Sequence, residues 1–231
     1  SGDTLISGAI GPCEAVLPSS SSSPEAKQLA ARHVSPTVMG SGGTSKWVLS
    51  AADEALTITF VFDTETSDAQ SAGAVSSVPT SSQSYNKRFF QFVTKYVTAA
   101  GQRRVRITSV TQPVAPTQEP SYFVRNACFD QACAAAVISR MAVSLLETHE
   151  NRWEGTKRWV DRLLVSFVRR FGTFTIGQPD SLRLSPCLSL FPSFMFNLRR
   201  SEYFMILNIS PDETTFKRHW LMREPCDACV L

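Results

Sequence analysis

The sequence predicts an α+β chain in two modules, part of an antiparallel β-sandwich over 1–118 followed by an all-helical bundle over 119–231. Three observations predict it. Apolar and polar residues alternate with period two through the first half, apolar positions recur at a period near 3.6 from Asp130 onward, and Pro113, Pro116 and Pro120 mark a linker between them.

Strands are predicted at 5–10, 46–50, 56–62, 88–97 and 104–110, where β-branched and aromatic residues dominate. In the last of these, Val105, Ile107 and Ser109 fall on one face and Arg104, Arg106 and Thr108 on the other. Strands with no helical pattern between them imply a sandwich or barrel. Two stretches, near 18–35 and 67–84, interrupt the series. They are rich in serine and poor in large apolar side chains, so they cannot bury enough surface to offset the entropy of ordering and read as mobile surface loops.

Four helices follow. The first places Ala134, Val137, Ile138, Met141 and Leu145 on one stripe, with Arg140 and Glu147 outside it. The second groups Val160, Leu163, Leu164, Phe167, Val168 and Phe171, and Gly172 stands where a left-handed cap would end it. The third follows Pro192 and ends near Tyr203. The fourth opens on Ser210 as N-cap, Pro211 in the first helical position and Glu213 three residues after the cap.

Composition bounds the function. The 231 residues are 43% hydrophobic and 19% charged, with a net charge of +3, which fits a packed globular chain and is too mild to announce a nucleic-acid binder. No apolar run reaches the ~20 residues that a spanning helix needs. Ser1, Gly2 and Asp3 open the chain without the basic and apolar regions of a secretory signal, and both ends read as cuts in a longer protein. The six cysteines, Cys13, Cys128, Cys133, Cys187, Cys226 and Cys229, lack scaffold-like spacing and read as free thiols of a reducing compartment.

Several motifs resemble sites and have plainer readings. Gly40, Ser41, Gly42, Gly43, Thr44, Ser45 and Lys46 look like a phosphate loop, but Lys46 leads into strand-like Trp47 and Val48 rather than a helix, so a structural turn is expected. Cys226 and Cys229 have the spacing of half a zinc site or a redox pair. No second pair accompanies them and no βαβ pattern surrounds them. His33, His149 and His219 lie far apart in sequence with no nucleophile elbow nearby, and Asn208 in an acceptor tripeptide is followed by Pro211. No catalytic residue, metal site or cofactor site is assigned. The candidate contact residues are basic: Arg103, Arg104 and Arg106 on a strand, and Arg199 and Arg200 at a helix end, for an anionic membrane or an acidic partner. Arg169 and Arg170 close another helix in the same way.

Certain segments are not generic. Ile6 to Cys13 reads ISGAIGPC, Phe90 to Tyr96 reads FQFVTKY, and Gly101 to Thr108 reads GQRRVRIT. Phe129, Asp130 and Gln131 follow, then RWVDR over 158–162. The strongest block is SLFPSFMFNLRRS over 189–201, then NISPDET over 208–214 and Arg218 with His219. In this order they resemble the GTPase-activating subunit of the COPII inner coat, over nearly the whole chain apart from the serine-rich inserts. Ala132 and Cys133 depart from the family's usual Glu-Ala after Phe-Asp-Gln.

The resemblance implies the C-terminal part of the sandwich and the helical domain of that subunit, ending where a gelsolin-like domain begins. It implies a structural part in ER-to-Golgi vesicle transport with no activity of its own, the family's arginine finger and zinc finger lying outside this stretch. The implied partners are a Sar-type small GTPase, the cargo-binding coat subunit, the outer-coat protein and the anionic ER membrane surface, with no nucleic acid. The implied location is cytoplasmic, peripheral on ER exit sites and vesicles. The alternatives are the cargo-binding paralogue, a basic nucleic-acid-binding module, and a hydrolase using Cys13 or a serine.

Overall fold

A computed structural model describes residues 4–18, 23–54, 56–64, 87–113, 129–148, 153–204, 210–226 and 228–229. The predicted loop at 67–84, His149, Asn208 and Cys128 lie outside the described residues.

The first half is built from short antiparallel pairs. Strand β1 (Thr4–Ile10) pairs with β4 (Thr59–Thr64), β2 (Glu14–Ala15) with β3 (Trp47–Val48), and β5 (Lys87–Val97) with β6 (Arg103–Pro113) in an unbroken register. The two larger pairs meet through aromatic side chains. Phe60 and Phe92 lie 5.2 Å apart between ring centroids, and Phe62 and Phe90 lie 4.7 Å apart. Strand β1 is buried because two segments flank it. On the side away from β4 the loop 33–41 runs along it, with Ser35 N–H donating to Ile6 O (2.9 Å) and Ala9 and Ser41 exchanging backbone bonds of 3.0 and 2.8 Å. Gly8 is needed there, since an added Cβ would stand 2.1 Å from the Met39 carbonyl oxygen. The register of β1 against β4 shifts at the same point, between Ile6 and Gly8.

The stretch 18–35 departs from its expected irregularity. It holds helix α1 (Pro24–Ala31), with Lys27 N–H donating to Ser23 O at 3.0 Å. Ser23, Pro24 and Glu25 repeat the start signature of Ser210, Pro211 and an early acid, a signal masked by the serine run.

The second half packs helices α2 (Gln131–Thr148), α3 (Trp153–Phe171), α4 (Phe191–Arg200) and α5 (Pro211–Arg223). A hairpin of β7 (Thr173–Thr175) and β8 (Gln178–Arg183) interrupts the expected all-helical run, followed by a single 3₁₀ turn at Pro186–Leu188. Helix α2 is central and touches the other three. Val143, Val160, Leu188, Phe191, Met195, Leu198 and Leu221 form the core, each at most 1% exposed. On α3 only Thr156, Val160 and Phe167 are buried, while Leu163, Leu164, Val168 and Phe171 pack at its margin. Gly172 ends α3 without a left-handed turn. Its N–H reaches Val168 O at 2.8 Å, and a Cβ there would stand 2.6 Å from that oxygen.

The Phe129, Asp130, Gln131 run has three separate structural tasks. Phe129 packs against Phe167 and Phe191, at 5.7 and 5.5 Å between centroids. Asp130 caps α2, its Oδ1 accepting from Cys133 N–H at 2.9 Å. Gln131 Oε1 accepts from both Leu190 N–H (2.7 Å) and Phe191 N–H (2.9 Å), so it caps α4, which has no side-chain cap of its own. At α5, Ser210 Oγ accepts from Glu213 N–H at 3.1 Å, as its capping sequence predicts.

Arg140 overturns its expected position outside the apolar stripe, since it is 0% exposed. Its Nε donates to Leu221 O (2.9 Å), Nη2 to Glu224 O, and Nη1 to Thr59 Oγ1 on β4 (3.1 Å). The guanidinium thus sits against the last carbonyls of α5, where the helix dipole favours a cation, and reaches into the sheet half. Thr57 N–H donating to Arg223 O (3.0 Å) and the Arg223–Asp53 ion pair complete the seam.

Replacing Arg140 with Met should lower unfolding free energy by about 3 kcal/mol, since the carbonyls of Leu221 and Glu224 lose their guanidinium donor at ~1–3 kcal/mol each. Gln131→Ala should cost about 1 kcal/mol, the usual scale of a lost N-cap. Met195→Ala should cost ~2–5 kcal/mol, and Leu163→Ala distinctly less because its side chain is only partly buried. Urea denaturation of the four variants against the parent chain orders them, and an Arg140→Met midpoint equal to the parent's would show that the seam contributes nothing.

Candidate functional site

Strands β5 and β6 form an eleven-pair hairpin whose tip is closed by Thr98 and Gln102, with Thr98 N–H donating to Gln102 O at 2.9 Å and Gly101 at φ 77°. Between residues 87 and 113 there are six cations, Lys87, Arg88, Lys95, Arg103, Arg104 and Arg106, and no acidic residue. Directly paired residues share a face. Arg104 opposes Tyr96 and Arg106 opposes Thr94, on the face that carries Phe90 and Phe92 toward β4. Arg103 opposes Val97 and lies on the other face, with Phe89, Val93, Val105 and Ile107.

The alternation within β6 is therefore the one the sequence predicts, but the Val105 and Ile107 face points outward. Phe89 is 79% exposed, Val105 60% and Ile107 62%. The reason lies in β5, whose Phe90 and Phe92 supply the contact with β4 and so determine which face turns inward. The hairpin presents exposed cations on both faces and an apolar stripe on one.

The five basic candidates do not form one patch. Arg103, Arg104 and Arg106 are exposed on the hairpin, and Arg104 donates to Gln102 Oε1 at 3.0 Å. Arg103 and Arg106 have no ion pair among the described residues. Arg199 and Arg200 are on the helical half and engage locally. Arg199 Nε meets Asp161 Oδ1 at 2.8 Å, tying α4 to α3, and the Arg200 guanidinium stacks over Phe196 at 5.2 Å.

The glycine-rich run 40–46 is structural. It pairs with β1, its Ser41 carbonyl accepts from Trp47 Nε1 at 2.8 Å, and Lys46 leads into β3. A cavity of about 320 Å³ opens at the seam between sheet and helices, lined by Ile10, Gly40, Ser144, Glu147, His219 and Arg223 among others. Within it Arg223 is already paired with Asp53, and the nearby Thr215 hydroxyl donates to Pro211 O at 2.9 Å. Among the described residues, no group of three or more His, Cys, Asp or Glu side chains could hold a metal ion.

Cys226 and Cys229 both lie beside Arg140, their sulfurs 4.0 Å from Nη1 and 3.8 Å from Nη2. Burial pushes the Cys229 thiol above its ordinary range, outweighing the neighbouring guanidinium. Burial, then Cys226, pushes up Cys133, and burial pushes up Cys13. An activated nucleophile requires the opposite shift. Sequence reasoning assigned no structural role to Arg140, Gln131 or Arg218, the last of which donates to Tyr203 O from Nε (3.2 Å) and Nη2 (2.8 Å). The available signal for Arg140 was its place with Ala136 and Val143 at four- and three-residue spacing on a helix with few other charges.

The chain is similar to known proteins along nearly its whole length. The Sec23/Sec24 beta-sandwich domain matches residues 1–115, and the Sec23/Sec24 helical domain matches residues 130–231. Two Arabidopsis thaliana proteins, Protein transport protein SEC23 F and Protein transport protein SEC23 C, are each 36% identical to it over 222 residues. That alignment covers 96% of this chain and 26% of each relative, so the chain spans about a quarter of their length. No helix among the described residues is long and apolar enough to cross a membrane. With the two domain matches in sequence order and these relatives beside them, the chain belongs to the Sec23/Sec24 coat-protein family.

Proposed function

We propose that this chain is the sandwich-and-helix block of a COPII-type inner-coat subunit of the GTPase-activating kind, serving ER-to-Golgi vesicle transport as a rigid spacer. The observation that carries this reading is the seam. A guanidinium with no exposed surface bonds to β4 and to the end of α5 at once, so the two halves hold one relative geometry. A spacer needs that property, and a catalyst would need poised groups in a cleft.

On this reading the Sar-type small GTPase, the cargo-binding coat subunit and the outer-coat protein are partners of the longer protein. The names of the Arabidopsis relatives favour the activating subunit over the cargo-binding one. The membrane contact falls to the β5–β6 hairpin. Its four distal cations, Lys95, Arg103, Arg104 and Arg106, are exposed and face no acid within the hairpin. Each such cation near an anionic surface contributes ~1 kcal/mol, falling off within a Debye length.

Two outcomes follow. The isolated chain should leave GTP hydrolysis by the Sar-type GTPase unchanged, because no residue of it is assigned as the arginine finger that accelerates such reactions ~10³–10⁵-fold. Clear stimulation in a single-turnover assay would end the spacer reading. The chain should also sediment with phosphatidylserine-containing vesicles and not with phosphatidylcholine ones, losing binding as salt rises. Replacing Arg103, Arg104 and Arg106 together with Gln should weaken that binding roughly 100-fold, from three contacts of ~1 kcal/mol each. Equal binding by the triple variant would remove the hairpin from the proposal.

A further inference from the structure

We propose that the cavity at the seam receives a basic side chain of a partner protein, an arginine above all, whose charge is met by Glu147. The cavity, of about 320 Å³, lies at the small end of the range for ligand sites, which suits one extended side chain better than a larger molecule. Helix ends form two of its walls. Ser144 and Glu147 stand near the end of α2, and Met222 and Arg223 close α5. Ile10 and Pro12 face them from the sheet half.

The two helix ends differ in charge. The last carbonyls of a helix lack partners within it and carry the negative end of its dipole, which favours a cation. At α5 that need is met by Arg140, which donates to Leu221 O and Glu224 O. Helices α3 and α4 end on Arg169 and Arg170 and on Arg199 and Arg200. Helix α2 has no basic residue in its last turn and carries the acid Glu147 there instead. A carboxylate at that position costs stability rather than adding it, so folding alone does not account for it. Glu147 is exposed and has no ion pair or hydrogen bond among the described residues. Arg223, the cation that shares the cavity, is engaged by Asp53. The carboxylate and the negative end of α2 therefore act on one cavity with the same sign.

The rest of the lining fits the stem of a long basic side chain. Ile10, Pro12 and Met222 are apolar and can cover its methylenes while the head reaches Glu147. A guanidinium meets a carboxylate through two parallel hydrogen bonds, which an ammonium cannot do, and it stacks on flat rings such as that of His219, which lines the same cavity. Arginine is favoured over lysine on both counts. The site uses only groups of this chain, so it does not depend on the coat reading.

The test titrates the full chain with a capped Ala-Arg-Ala tripeptide, with the same peptide carrying neutral citrulline in place of arginine, and with agmatine, and follows backbone amide shifts by NMR. The expected result is saturable shifts from the arginine peptide at residues lining the cavity, Ile10, Gly40 and Ser144 among them, with a dissociation constant of about 1–10 mM. The citrulline peptide should bind about tenfold more weakly, having lost the charge-assisted contact. Glu147→Gln should weaken the arginine peptide about fivefold, the upper end for a solvent-exposed ion pair. Its thermal midpoint should equal or exceed the parent's, because it removes a carboxylate from a helix C-terminus. Equal binding of the citrulline peptide, unchanged affinity in Glu147→Gln, or no saturable shift at the cavity would each overturn the proposal. Agmatine bound and the arginine peptide excluded would show a cavity that admits free guanidinium compounds and no polypeptide, and would overturn it too. Shift mapping on the parent chain locates the site whatever the variant does.

Discussion

A charged group removed from water, with no ion pair among the described residues, is the constraint on which the fold depends. Taking a guanidinium out of water costs several kcal/mol, and only well-placed acceptors offset that. Arg140 finds its acceptors at Leu221 O and Glu224 O, carbonyls that are orphaned because α5 ends there. The helix needs donors at its C-terminus and the arginine needs acceptors, so each satisfies the other. The remaining side of the guanidinium then faces Thr59, which draws β4 to the same point. Sheet and helices are joined by polar chemistry that tolerates one arrangement, whereas an apolar seam would tolerate sliding.

The same economy of capping explains the short motifs. Gln131 belongs to α2 but completes α4, and Asp130 beside it completes α2. Arg218 leaves α5 to hold the Tyr203 carbonyl in the turn after α4. Gln131 and Arg218 each close the end of an element distant in sequence, so the helix ends are tied to one another before any core side chain is counted. Phe129 and Phe191, set against Phe167 at 5.7 and 4.5 Å, then fill the space those ties enclose.

Helices were legible in the sequence where local signals agreed. Ser210 and Pro211 announced α5, and the 3.6-residue recurrence from Val160 to Phe171 announced α3. What stayed hidden was set by distant partners. Arg140 reads as a surface residue because its acceptors lie some eighty positions away, beyond the reach of any periodicity argument. The inward face of β6 could not be chosen either, because both faces of the hairpin carry apolar residues and the choice rests on Phe90 and Phe92 meeting Phe62 and Phe60. The β7–β8 hairpin was missed for a related reason. It is exposed along nearly its whole length, so no buried alternation marks it. Of the basic candidates, the sequence could name cations but not separate Arg199, engaged with Asp161, from Arg103 and Arg106 on an acid-free hairpin.

The electrostatic pattern separates two kinds of charge by task. Arg140 is buried and fully engaged, and it fixes internal geometry. The distal hairpin cations are exposed and stand on a two-stranded element whose Phe90 and Phe92 meet Phe62 and Phe60 of β4. An exposed charge is worth little to stability because water and salt screen it. Six like charges on one hairpin add mutual repulsion, so folding alone does not account for them. An anionic surface would relieve that repulsion, and it would do so at a place whose distance from the helices is set by the buried arginine. One buried cation holds the internal geometry, and the exposed hairpin cations stand outside the ion pairs of the described residues.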